Sequence, residues 1–482
     1  MFKIVKYFLI IFIAMLIIIS PSFYFSTNAQ LVNRTKEIDL GNLSFDADII
    51  IPDDYDNIQD GIDDSNPGDL IFVRSGVYYE NIEIDKKNLH IIGEDKFNTV
   101  IDIDNKEGDA VKISAEGAIF EGFTVANARF KEKRIWYQSG ILVLSANVTI
   151  KGNIIADNRL GLMSYTEAYN LTICDNMFFY DGIFPACYIQ LIDGKYLNTN
   201  NIPKESIFIN VYNNTVNGKP LYFLKNVSDT IVNVDAGQVI LVNCTNVTVR
   251  NLYLLNIDFS VMLYYSSNCT IENITIVNAD GELILFFSEN NTIQNITAIN
   301  AFHGTCLDIG AKNNIVRYNS YIDSLQGITV MTACTGNKIY ENKLNNNVLG
   351  IKLISVTENL PSHDNFVYDN EFFKNEVALS LTIFENTSCY TYNNIISNNT
   401  FLQNDAGISI HLSNGNIIKN NNFHKNKISA IFRGSCKNTW YNNYWNRPRL
   451  LPKIIFGYEL IFDKIPVPYG FNIDRNPAKK PN

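Results

Sequence analysis

The side chains best placed to do chemistry are aspartates and aromatics that recur at one distance from a repeated asparagine. Asp258 lies seven residues after Asn251, and Asp280 lies seven after Asn273. On stacked coils the two carboxylates would sit about one strand spacing, ~4.8 Å, apart. Such a pair can share a proton or a calcium ion, and it can equally be two solvated turn residues, as Asp280-Gly281 suggests. A second row is formed by Tyr165, Tyr264, Phe286 and Asp308, which alternate outward from apolar partners on consecutive segments. Exposed, that row is an aromatic platform on which sugar rings stack, with Asp308 as a polar anchor. Covered by the long insertions at 182–206, 354–364 and 384–392, it is core. An open platform predicts that alanine at Tyr165, Tyr264 and Phe286 removes binding and leaves stability intact.

Other chemistries find less support. No two of His90, His303, His363, His411 and His424 fall on equivalent positions of adjacent repeats, so a metal or catalytic histidine site is not expected. The net charge of −10 argues against the basic footprint that a nucleic-acid backbone requires. Eight cysteines are scattered without a C-x-x-C pair, which reads as small buried hydrophobes, with one or two disulfides as the alternative.

These residues are carried by a short pattern: an apolar residue, two spacers, an asparagine, one spacer and a second apolar or β-branched residue. It is seen in Ile150-x-x-Asn153-x-Ile155, Ile173-x-x-Asn176-x-Phe178, Val211-x-x-Asn214-x-Val216, Val316-x-x-Asn319-x-Tyr321, Ile339-x-x-Asn342-x-Leu344, Val367-x-x-Asn370-x-Phe372, Ile396-x-x-Asn399-x-Phe401, Ile418-x-x-Asn421-x-Phe423 and Trp440-x-x-Asn443-x-Trp445. Asn251, Asn273 and Asn295 are the anchors of a threonine or tyrosine variant. The commonest anchor spacing is 22 to 24 residues. A period of that size, in segments rich in Ile, Val, Thr, Tyr and Phe with Asn and Gly between them, specifies an all-β solenoid: a single-stranded, right-handed parallel β-helix. An amide repeated on every coil donates to one neighbour and accepts from the other, so the asparagines are structural.

Ahead of the repeat, Tyr55 to Asp64 predicts a short helix that covers the first coil, since terminal repeats need a cap. Lys3 and Lys6, the apolar run Tyr7 to Ile19 and the small residues Ser26 to Ala29 form an export signal, cleaved or kept as an anchor. The expected organisation is 1–29 signal peptide or membrane anchor, 30–50 linker, 51–446 β-helix with its amino-terminal cap, and 447–482 a proline-containing carboxyl-terminal cap. Everything beyond the signal is expected outside the membrane, extracellular or at the cell surface. Asn33, Asn42, Asn147, Asn170, Asn246, Asn268 and Asn290 are the accessible glycosylation candidates, whereas Asn273 and Asn295 are expected to be shielded as ladder residues.

Ile58-Gln59-Asp60-Gly61-Ile62, Pro67 to Val73 (PGDLIFV), Gly76 to Asn81 (GVYYEN), Ile91-Ile92-Gly93-Glu94, Asp235 to Val239 (DAGQV), Asn443 to Pro448 (NYWNRP) and Asn472 to Lys479 (NIDRNPAK) together resemble the NosD-like branch of the carbohydrate-binding-protein and sugar-hydrolase β-helix families. The resemblance spans nearly the whole mature chain and implies a pectin-lyase-like solenoid and export. It fixes function poorly, because this fold hosts lyases, hydrolases, esterases, adhesins and maturation factors. The expected partner is a polysaccharide or envelope glycan bound without catalysis and without a cofactor. The alternative is a lyase or hydrolase of acidic polysaccharide, with calcium as its cofactor if it is a lyase. Copper handling, which the name NosD implies, would want accessible Met, His or Cys clusters, and none is evident.

Overall fold

A computed structural model describes residues 47–482 apart from 105, 130–137, 188–190, 193–194, 197–202, 280, 282, 356–359, 384–390, 435–436, 450 and 462–464. The export segment, Asn33 and Asn42 lie outside the described residues.

The chain is a right-handed parallel β-helix whose coils each contribute up to three short strands. Ladder one begins at Ile49–Ile51, Leu70–Val73 and His90–Gly93 and ends at Thr439–Tyr441. Ladder two begins at Gly76–Tyr78 and ends at Tyr444–Trp445, and ladder three begins at Ile82–Ile84. In ladder one the middle residue of each strand points inward, as in Ile150, Ile173, Val316, Ile339, Val367, Ile396 and Ile418, all at most 1% exposed. Ladder two places rings there: Phe372, Phe401, Phe423 and Trp445 stack with centroids 4.8, 4.9 and 4.5 Å apart. Identical inward positions one strand spacing apart thus make a continuous core. Between Thr215–Val216 and Lys219–Lys225 the chain reverses through Asn217 and Gly218, with φ of 50° and 77°, the tight turn that an Asn-Gly pair favours.

Each corner is built from two residues with different tasks. The first adopts the left-handed backbone conformation, and the second turns its side chain inward. At the corner between ladders one and two these pairs include Asp175 and Asn176, Glu341 and Asn342, and Asp369 and Asn370. The inward amides form a hydrogen-bonded column. Asn342 donates from its backbone N–H (3.0 Å) and its Nδ2 (2.9 Å) to Asn370 Oδ1, and its Nδ2 also reaches Val316 O at 2.9 Å. Sequence reading identified one such column; the structure has one at each corner. The second includes Asn347, Asn375, Asn404 and Asn426, and the third Asn291, Asn314, Asn337, Asn365, Asn394, Asn416 and Asn438.

Asn251, Asn273 and Asn295 are displaced by one residue from the ladder position assigned to them. They carry φ of 61°, 54° and 54° and are exposed, while Leu252, Ile274 and Ile296 point inward. Asparagine tolerates positive φ because its short amide bonds locally, so it serves either corner position. Shielding by burial therefore does not apply to Asn273 and Asn295.

The helix α1 (Ile58–Asp64) starts at Asn57, whose side chain accepts from Asp60 N at 2.8 Å. Glu80 reinforces that end by accepting from Ile58 N (2.9 Å) and Gln59 N (3.0 Å), the placement a helix start favours for a carboxylate. Ile58 and Ile62 are fully buried, and Gly61 lies so close to the first strand that a Cβ would meet Ile51 Cδ1 at 2.8 Å. At the other end, Lys453–Ile461 and Ile465–Asp474 form an antiparallel hairpin that joins the stack through Arg433–Tyr458 and Trp440–Asp474. Asp474 Oδ2 accepts from Asn443 N, Asn443 Nδ2 and Trp445 Nε1, each at 3.0 Å, so the first amide column ends in a carboxylate. Among the described residues, strand structure begins at Ile49, inside the expected linker, and continues beyond 446 into the expected cap.

Candidate functional site

The outward row of ladder three is covered where the sequence left open platform and core as alternatives. Tyr264 and Phe286 are 0% and 1% exposed and stack at 4.9 Å. The strand Ile183–Cys187, which opens the 182–206 insertion, lies on them: Tyr264 donates its hydroxyl to Pro185 O at 2.9 Å, and Phe184 stacks on Phe259 at 4.3 Å and on Phe286 at 6.4 Å. Tyr165 is half-buried and packs on the core. Asp308 is buried and accepts from its neighbour Ile309 N at 2.7 Å, so it offers no anchor on an open face. Asp258 is buried too, and its Oδ2 ties two strand starts together by accepting from Gly161 N (2.7 Å) and Gly182 N (3.1 Å). Asp280 lies outside the described residues. Tyr264, Phe286, Asp258 and Asp308 are thus parts of the packed body, because the strand Ile183–Cys187 supplies apolar cover that their spacing could not reveal.

Asp181 is a buried titratable group within an amide column. It accepts from Asn158 N (3.1 Å) and Asn158 Nδ2 (2.7 Å) in a place where other coils use asparagine. Burial pushes its carboxyl up to about 7, with Asn158 and the charge of Arg129 pulling the other way. The folded state therefore holds the proton more tightly than the unfolded chain, whose carboxyl titrates near ~3.9. Its stabilising contribution is complete below that pH and is lost as pH rises through about 7. Asp181→Asn keeps the acceptor and removes the charge, so its melting temperature should match the parent at pH 4 and exceed it at pH 8. An equal gap at both pH values in thermal melts would contradict this.

Open grooves lie along two of the corners. One, of about 490 Å³, runs along the corner between ladders two and three and is lined by Arg129, Asp157, Arg159, Tyr180, Asp323 and the amides Asn256, Asn278 and Asn300. The amides bond to one another, Asn300 to Asn278 at 2.8 Å and Asn278 to Asn256 at 3.1 Å, and Arg129 Nη2 donates to Asn158 O at 2.9 Å. Among the described residues its lining holds two carboxylates, Asp157 and Asp323.

The other groove, of about 620 Å³, lies at the corner between ladders three and one. One wall is the ring pair Tyr265 and Phe287, 4.9 Å apart and within 5° of parallel. Lys204 lies over Tyr265 at 5.2 Å, and burial followed by the charge of Glu205 pushes the Tyr265 hydroxyl up to about 12. The floor is an outward row joined rung to rung: Glu289, Lys312, Thr335 and His363. His363 Nδ1 bonds Asp364 Oδ2 at 2.7 Å, and its ring stacks on Tyr392 at 4.9 Å. Aromatic faces beside exposed donors and acceptors are the chemistry of sugar binding. Sequence reading missed this site because Tyr265 and Phe287 sit one residue beyond the row it followed, each at a left-handed corner, with φ of 51° and 47°.

Asn147, Asn170, Asn246, Asn268 and Asn290 all occupy exposed left-handed corners. The amides of Asn147, Asn170 and Asn246 donate to Glu116, Asn147 and Asp229, each at 2.7 Å.

A family model described as periplasmic copper-binding protein (NosD) matches residues 198–388. Over that stretch the chain is NosD-like. The comparison with curated proteins finds no match. Among solved structures, a hyperthermoactive exopolygalacturonase from Thermotoga maritima is 10% identical, covers 84% of this chain and 87% of its own, and has a TM-score of 0.37. The A-module of the mannuronan C-5 epimerase AlgE6 from Azotobacter vinelandii is 12% identical, with coverages of 79% and 93% and a TM-score of 0.29. The tailspike of E. coli bacteriophage HK620 is 12% identical, with coverages of 82% and 63% and a TM-score of 0.35.

Copper is implied by the NosD description, and the described residues do not fit it. Among them no group of three or more His, Cys, Asp or Glu side chains is placed to hold a metal. Cys174, Cys244, Cys269, Cys306 and Cys334 are buried. Burial pushes the thiols of Cys244, Cys269 and Cys334 up, Cys269 to about 11, which suppresses the thiolate that a soft metal takes. Cys389 and Cys436 lie outside the described residues.

Proposed function

We propose that the protein is exported and binds glycans at the cell surface without cleaving them. The observation that supports this is the groove at the corner between ladders three and one, where the Tyr265 and Phe287 wall faces the row Glu289, Lys312, Thr335 and His363. A rigid coil stack holds that wall and that row in fixed register, so a ring and its hydroxyls meet pre-positioned partners. The charged amino terminus and its apolar run supply the export, and the membrane enters only through that segment. Among the described residues no helix is long and apolar enough to cross a membrane.

The test is retention of the purified mature chain on a panel of immobilised neutral and uronic-acid polysaccharides, with and without calcium, followed by sizing of the polymer. Retention with polymer length unchanged is expected. New reducing ends or unsaturated uronate products would replace this reading with that of a hydrolase or lyase.

A further inference from the structure

Tyr265 and Phe287 belong to a row that runs along the helix axis. Backbone hydrogen bonds fix its members: Tyr265 N donates to Phe286 O, Phe287 N to Ile309 O, Gly310 N to Thr332 O and Ala333 N to Leu360 O, at 2.9 to 3.1 Å. The occupants of successive rungs are therefore Tyr265, Phe287, Gly310, Ala333 and Pro361. Tyr265 covers one face of the Phe287 ring. The other face looks toward Gly310, where an added Cβ would lie 3.5 Å from Phe287 Cδ1. The ring stack stops because the next rung has no side chain, and the one after it has only a methyl. Two rungs without bulk leave a notch about 10 Å long at the strand spacing. This notch lies in the 620 Å³ groove, and its far end is closed by Pro361.

We infer that the notch is a subsite for one neutral pyranose ring, stacked on the free face of Phe287 as the missing third ring of the column. This deepens the glycan-binding reading and rests on it. The C–H bonds on one face of a pyranose carry partial positive charge and suit the negative face of an aromatic ring. Beside the notch, on the adjoining outward row, Glu289 and Lys312 are both exposed on consecutive rungs. A carboxylate that accepts and an ammonium that donates serve the two hydroxyls of a vicinal diol. An apolar aromatic ligand would use neither. The Glu289 and Lys312 pair carries no net charge, so it gives a uronate carboxylate no net attraction while both of its groups serve a neutral diol.

Gly310 has φ of 70°, a conformation in which asparagine is the best-tolerated replacement. Gly310→Asn therefore preserves the backbone and fills the space over Phe287. Calorimetric titration with hexamers of glucose, mannose and galactose, and in parallel with galacturonate and guluronate hexamers, reads the outcome. The parent chain should bind at least one neutral hexamer, and Gly310→Asn should weaken it by about tenfold or more, ~1.4 kcal/mol, with the melting temperature preserved. Phe287→Leu, which keeps bulk without branching at Cβ and removes the flat face, should weaken it similarly and serves if the asparagine variant fails to fold. Binding of neutral hexamers by Gly310→Asn or Phe287→Leu as tightly as by the parent overturns the notch and leaves glycan binding standing. Binding of uronate hexamers alone overturns the ligand class. Binding of no hexamer by a parent that polysaccharides retain overturns the subsite, and retention on no polysaccharide overturns the functional reading itself.

Discussion

Asn370→Ala is expected to lower unfolding stability by about 3–5 kcal/mol, one of the two largest effects of any substitution considered. The side chain works on both sides at once. Its Oδ1 accepts from Asn342 N at 3.0 Å and Asn342 Nδ2 at 2.9 Å, and its Nδ2 donates to Ile339 O at 2.9 Å and Asn399 Oδ1 at 3.0 Å. Alanine leaves the buried Asn342 N–H with no acceptor and leaves Ile339 O short of a donor. Each such group costs about 1–3 kcal/mol, and a small cavity adds to the sum. In a solenoid the damage falls mainly on adjoining coils, so hydrogen exchange should accelerate around Asn342 and Asn399 before it does at either end. Asn251→Ala is the matched control. That residue is exposed at a left-handed corner, and its amide bond to Asn233 Oδ1 at 2.8 Å is solvent-exposed, so alanine costs chiefly the conformational penalty of about 1–2 kcal/mol. Equal denaturation midpoints for the two variants would remove the distinction between inward and corner asparagines.

That distinction marks how far the sequence could be read. The first amide column was legible because its asparagine is bracketed by apolar residues at fixed spacing. The other two columns were also written in the chain, as triplets five residues apart: Asn337, Asn342 and Asn347; Asn365, Asn370 and Asn375; Asn394, Asn399 and Asn404; and Asn416, Asn421 and Asn426. Five residues carry the chain from one corner, through a three-residue strand, to the next. Ladder three breaks the rhythm, since its strands vary from Ile82–Ile84 to Val377–Ile383 and insertions follow it. The displaced register at Asn251, Asn273 and Asn295 was harder to foresee, because asparagine suits both residues of a corner.

The candidate site was read from the right structural logic on the wrong row. Outward alternation correctly put Tyr264 and Phe286 on the outer face of ladder three, but whether an outer face is surface depends on what crosses it. The strand Ile183–Cys187 pairs in parallel with Leu160–Tyr165 on ladder three, and no periodicity announces that it also meets Tyr264 and Phe286. The groove that stays open is formed one residue further on, where Gly310 follows Phe287 on the next rung. Its signal is the loss of a side chain directly after two stacked rings in one row, visible only once the register is known.

Phe286→Ala should therefore destabilise the chain, where an open platform would have left it unharmed. The ring is 1% exposed, stacks on Tyr264 at 4.9 Å and lies 6.4 Å from Phe184. Truncating a buried phenylalanine in a close-packed site costs about 3–5 kcal/mol, because the surroundings relax only partly into the space. Tyr264→Phe gives a graded comparison, since it keeps the stack and removes only the donor to Pro185 O, a loss of about 1 kcal/mol. Phe287, the next residue in the chain, reverses the pattern. Its ring is half-buried and one face opens on the groove, so Phe287→Ala should remove glycan retention at a smaller cost in stability. Urea denaturation and retention assays on both variants separate the two roles. If Phe286→Ala melts with the parent, Ile183–Cys187 does not cover the row and the platform is open after all. If Phe287→Ala instead shows the larger loss of stability, its ring is core and the groove wall cannot serve a ligand.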